Sequence, residues 1–188
     1  MTGRLIVSTA TGFLVAFAVV GMAARDAPQP ASLLSFNASV DQYVQLHRRI
    51  EQQLPPLRAG SGAQDIAEHA NAMASALQTA RRGAREGHIF TPAIGALLRT
   101  RISDALAAGG FLPDEVIAAT LEEADDQAPT PSVNGRFPWT RGAAMWPCVI
   151  AALPPLPDEL QYRVVGRDLV LVDTHADLVV DILRNAVR

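Results

Sequence analysis

The sequence predicts an α+β fold, with three or four helices packed on a small C-terminal antiparallel β-hairpin or three-stranded meander. Three observations carry this expectation. First, Leu160 to Leu183 is a dense run of β-branched and aliphatic residues broken by two polar corners. Second, the stretches before it repeat apolar residues at spacings of three and four, the period of a helix with one buried face. Third, a segment rich in Pro, Gly and Asn separates the two halves. A sheet this small needs its apolar face covered, and the preceding helices are the available cover.

The 188 residues divide into 1–24 as a signal, 25–35 as a tether, and 36–188 as one domain. Within the domain, 36–125 reads as helical, 126–159 as loop and 160–183 as β. Arg4 precedes an uncharged apolar run from Leu5 to Met22, and small residues at Gly21 to Ala24 suit cleavage. An uncleaved anchor is the alternative, because the run is long enough to span a bilayer. The expected location is therefore periplasmic or secreted, with membrane contact only through this segment. Pro28 and Pro30 mark the tether.

The first helix starts near Ser39, with Val40, Tyr43, His47, Ile50 and Leu54 on one face, and Pro55-Pro56 stops it. His47 falls on that stripe and reads as a satisfied core or boundary histidine, on the count that no second ligand stands at i±4. A second helix runs from about Gln64 to Arg85 with Ile66, Ala70, Met73, Leu77, Ala80 and Ala84 inward. Arg81, Arg82 and Arg85 then complement the dipole of its last turn. Thr91-Pro92 opens a third helix that ends at Gly109-Gly110, with Ile94, Leu97, Leu98, Ile102 and Leu106 inward. A short fourth helix runs from Pro113 to about Ala124.

Asp125 to Met145 is the longest irregular stretch of the domain, a length that favours function or disorder. Phe137 and Trp139 argue against disorder, since something must cover them. They either plug the core or, with Arg136 and Arg141, present a binding surface. In the β part, Val165-Gly166-Arg167-Asp168 suits a type II′ turn, with Gly at the first central position. Leu178, Val180 and Ile182 alternate as a third strand, while Thr174 as the cap of a helix is the rival reading of 177–183.

Composition narrows the chemistry. The formal net charge is −3, so the basic footprint of a nucleic-acid binder is missing. All basic residues are Arg, which excludes a Schiff-base or P-loop lysine. Cys148 is the only thiol, so no internal disulfide can form, and its apolar neighbours mark it as a small buried hydrophobe. No cofactor motif and no catalytic set stands out. Asp173, His175 and Asp177 alternate, and in an extended backbone they share a face suited to a divalent ion. The same residues also suit a turn.

Tyr162 to Asp173 (YRVVGRDLVLVD), with Ala176 to Leu183 after it, resembles the ending of a group of secreted bacterial proteins. Those proteins have an N-terminal signal, a helical body and a hairpin of the YRxVGRDLxLxD type. The stretch FNASVDQYVQLHRRIEQQLPPL (Phe36 to Leu57) is similar to their body. The resemblance implies export and an α+β fold, and it carries no activity, cofactor or site residue. The function expected from the sequence is an exported, non-catalytic module that binds a protein or small-molecule partner. The alternative is a metal-assisted hydrolase using Asp173, His175 and Asp177.

Overall fold

Leu33, Phe36, Val40, Tyr43, His47 and Ile50 lie along one buried stripe, and the first helix follows that stripe rather than starting at Ser39. A computed structural model describes residues 30–122, 129–139 and 145–188. In it α1 spans Ala31–Glu51, α2 Ala63–Ala80, α3 Pro92–Ala108, α4 Pro113–Glu122 and α5 Pro147–Ala152. The strands are β1 Leu160–Val165, β2 Asp168–Asp173 and β3 Leu178–Leu183. The segment read as signal, the first part of the tether and Arg141 lie outside the described residues. Among the described residues, no helix is long and apolar enough to cross a membrane.

Two boundaries differ from the expectation. Helix α1 begins at Ala31, inside the stretch expected as tether, because the 3–4 spacing continues back through Phe36 and Leu33 and no proline interrupts 31–51. Helix α2 stops at Ala80 instead of Arg85. There the chain turns, and the Arg81 guanidinium donates to the Val180 carbonyl at 2.8 Å rather than capping its own helix. Of the expected α2 stripe only Met73 and Leu77 are buried, with Ala74 beside them, and Ile66 is exposed. Helix α3 begins at Pro92 after Thr91 as expected. A Cβ on its Gly95 would stand 2.8 Å from Leu183, so glycine lets the helix settle directly on β3.

The sheet is an antiparallel meander in the order β1-β2-β3. Gly166 takes a φ of +57° at the first central position of the β1–β2 turn, the conformation a II′ turn requires. The 177–183 stretch is a strand. Both faces of the sheet are buried. On one, Leu160, Tyr162, Val164, Leu169, Leu171 and Val180 meet the helices in the main core. On the other, Val170, Val172, Val179 and Ile182 pack around Phe137. The segment before Trp139 closes the outer edge of β3 as well. Asn134 donates to the Val179 carbonyl at 2.8 Å, Val179 to Gly135 at 2.9 Å, and Phe137 to Asp177 at 2.7 Å. An edge satisfied in this way presents no free row of donors to another chain.

Two further features depart from expectation, one of them a helix within the stretch 126–159 expected as loop, where Cys148 is not fully buried. The short α5, opened by Pro147 after Trp146, packs along α3 and leaves Cys148 half-buried. Asp181 is fully buried on β3, where its carboxylate accepts the backbone N–H groups of Gly87, Ile89 and Phe90 at 2.6–2.9 Å. It thereby holds the α2–α3 corner against the sheet.

Candidate metal centre

Helix periodicity places Tyr43, His47 and Glu51, each four residues after the last, on one face of α1. That face lies over the end of β2, where Asp173 is fully buried. One Asp173 oxygen, Oδ2, accepts the Tyr43 hydroxyl at 2.6 Å and faces His47 Nδ1, also at 2.6 Å. The other, Oδ1, accepts the backbone N–H groups of His175 and Ala176 at 3.0 Å. Asp173 therefore does two things. It shapes the β2–β3 turn that carries His175, and it orients the His47 imidazole.

With Nδ1 held by Asp173, the outer nitrogen of His47 is what remains. His47 is 0% exposed, and its Nε2 is buried with no hydrogen-bond partner. It stands 3.9 Å from Glu51 Oε2, while Glu51 Oε1 stands 3.5 Å from His175 Nδ1. The two imidazole rings meet edge to face, with centroids 5.2 Å apart. One donor atom from each of His47, Glu51 and His175 falls within 4.8 Å of the others. Around a zinc-class ion with bonds of 2.0–2.1 Å, tetrahedral donors lie about 3.3 Å apart. The spacings need contractions from about 0.2 Å between Glu51 and His175 to about 1.5 Å at the widest, within reach of two solvent-facing side chains.

The electrostatics favour charge separation inside this cluster. Burial pulls the His47 imidazolium down, but the hydrogen bond and charge of Asp173, with Glu51 and Glu159, carry its pKa above the ordinary value. Burial pushes the Asp173 carboxyl up, and the His47 and Tyr43 hydrogen bonds outweigh it, leaving it below the usual range. Tyr43 is held well above its ordinary value by burial and by the neighbouring carboxylate. Glu159 is tied to Arg48 at 2.6 Å and adds a further carboxylate near His47. A carboxylate that holds the inner nitrogen and leaves Nε2 to an ion is the supporting arrangement metal-binding histidines use, and with the His47 pKa raised an ion there would displace a proton.

Of the three alternating residues in the sequence, only His175 joins this cluster. Asp173 sits behind it, with both oxygens occupied. Asp177 turns away, because the chain takes a positive φ of +46° there. Its carboxylate accepts Trp139 Nε1 at 2.8 Å and pairs with Arg136 at 3.7 Å. The extended backbone that would have aligned all three does not form across the turn. The aromatic pair is split, and only Phe137 is drawn inward. Phe137 is 4% exposed under the sheet, whereas Trp139 is 45% exposed and carries the Arg163 guanidinium over its ring. Arg136 is spent on the Ala176 carbonyl at 2.7 Å and Asn71 at 3.0 Å. These residues fasten the segment to the β2–β3 turn.

Apolar spacing alone puts His47 in the core and gives Glu51 no role. Yet Glu51 stands at i+4 from His47, and a His-x-x-x-Glu pair on a helix is a recognisable ligand spacing. The count of no ligand at i±4 is corrected accordingly. Only Asp173 and His175, far along the chain, were out of reach of local spacing. Compared with known proteins, the chain matches no family model, no curated protein and no solved structure.

Proposed function

We propose that this is an exported, non-catalytic binding protein whose ligand is a divalent transition-metal ion, held by His47 Nε2, a Glu51 oxygen and His175 Nδ1. The observation that carries the proposal is the fully buried, unpartnered Nε2 of His47, aimed at two further donors. A buried polar nitrogen without a partner costs about 1–3 kcal/mol, and an ion supplies the missing partner. Two imidazoles and one carboxylate suit zinc, cobalt or nickel better than magnesium or calcium, which prefer oxygen throughout. Two of the larger clefts of the fold are lined by Pro55 to Ala72 and by Ser39 to Ile89, and although the second reaches Tyr43, neither includes His47, Glu51 or His175, which favours binding over catalysis. Export rests on the N-terminal apolar run and the resemblance already described.

Calorimetric titration of Zn2+ into the wild-type chain, Glu51→Gln and His175→Ala tests the reading. One ion per chain is expected for the wild type, with affinity lost in both variants. No binding by the wild type, or binding indifferent to both substitutions, would overturn it. Metal-assisted hydrolysis remains the second reading. It is moved from Asp173, His175 and Asp177 to this donor set, with Asp173 as a positioning residue.

A further inference from the structure

We infer that the ion at His47, Glu51 and His175 keeps a coordination position open to solvent and takes there an external carboxylate-type oxygen ligand. The inference rests on the metal-binding reading above and adds what the ion does with its remaining valence. Among the described residues, no fourth His, Cys, Asp or Glu joins the cluster of three. The acidic groups nearby are committed. Asp173 gives both oxygens to Tyr43, His47 and the turn backbone. Asp177 is bound to Trp139 and Arg136. Glu159 gives Oε1 to Arg48, and its Oε2, though buried without a partner, does not join the cluster of three.

The direction of the open position follows from exposure. His47 approaches from the interior at 0% exposure, while the Glu51 and His175 side chains are 42% and 46% exposed. Three donors placed in this way leave the fourth tetrahedral direction facing outward. Closed structural zinc sites have four protein ligands, whereas three with an open position is the arrangement that exchanges ligands. Charge sets the ligand class. A divalent ion with one carboxylate, Glu51, keeps one unit of positive charge within its own ligand shell, since the Asp173 carboxylate reaches it only through the His47 ring. An anionic oxygen donor neutralises that unit, and a pair of oxygens brings the ion to five-coordination.

The test uses the full-length chain loaded with Co2+, whose visible bands report coordination number, titrated with acetate and with acetohydroxamate. A saturable shift with loss of band intensity is expected for both probes, at lower concentration for the chelating hydroxamate. By linkage, acetate also tightens the apparent Co2+ affinity, about a hundredfold at a hundred times its own Kd, while the hydroxamate, which chelates free Co2+ as well, is read from the protein-bound bands. Co2+ that binds with a spectrum and an affinity indifferent to both probes would overturn the open position and leave the metal site standing. Failure of Co2+ to bind would overturn both. His175→Ala, altered at an exposed side chain, separates the site from adventitious surface cobalt. Probe-sensitive bands that survive in this variant would also count against the inference.

Discussion

Replacing Asp173 by Asn exchanges one oxygen for an amide nitrogen at the centre of the cluster. The remaining amide oxygen can still accept the His175 and Ala176 N–H groups that Oδ1 accepts now. The new NH2 group then faces the Tyr43 hydroxyl and His47 Nδ1, both donors to Oδ2 in the native chain. An amide N–H donates, so His47 Nδ1 must become an acceptor and its proton moves to Nε2. That is the nitrogen the ion needs. Loss of a supporting carboxylate of this kind weakens metal affinity by about 10–100-fold, or about 1.4–2.8 kcal/mol. Folding stability of the metal-free chain falls by about 2–4 kcal/mol, between the loss of one charge-assisted hydrogen bond and the breaking of a buried pair. Urea denaturation measures the second quantity and zinc calorimetry the first. A stability loss with unchanged zinc affinity would refute the tautomer argument and leave Asp173 a purely structural residue.

Four other outcomes follow from the same geometry. Glu51→Gln and His175→Ala, at solvent-facing side chains, should change the stability of the metal-free chain by no more than about 0.5 kcal/mol while abolishing zinc binding, read from paired melts with and without zinc. Asp181→Ala strands the buried N–H groups of Ile89 and Phe90 and should cost about 3–5 kcal/mol, with hydrogen exchange fastest at the 87–90 corner. Phe137→Ala uncovers the second face of the sheet and should cost about 3–5 kcal/mol in a denaturant titration. The pH dependence of the metal-free chain has two limbs. Asp173 and Glu159 have lowered values, so their contribution is complete above about pH 4.5 and is lost as pH falls through the folded values. His47 has a raised value, so its contribution is complete below about pH 6.5 and is lost as pH rises through the folded value. Urea melts between about pH 3 and pH 9 resolve both limbs, and Asp173→Asn should flatten them.

Local pattern carried the fold well wherever one face of an element meets the core. Thr91-Pro92 opens α3, Gly166 turns the hairpin, and the alternation after Asp177 forms β3, because each of these signals acts within a few residues. Pattern misjudged α1 and α2 at their ends. The helical stripe runs on through Leu33, and Arg81 leaves its helix for a carbonyl on β3 nearly a hundred positions away. The second sheet face was hidden for the same reason, since Phe137 meets Val170 and Val179 only after the chain returns. In the site, His47 and Glu51 were a legible pair on one helix face. Their dependence on Asp173 and His175 spans more than 120 positions and belongs to tertiary packing alone.

The central claim is that His47, Glu51 and His175 hold one ion. Diffraction from crystals grown with Zn2+, recorded on both sides of the zinc absorption edge, tests it most directly. The account predicts a single strong anomalous peak within about 2.1 Å of His47 Nε2, with Glu51 and His175 closed around it. A peak at other side chains, or His47 Nε2 still unpartnered in zinc-saturated crystals, would contradict it.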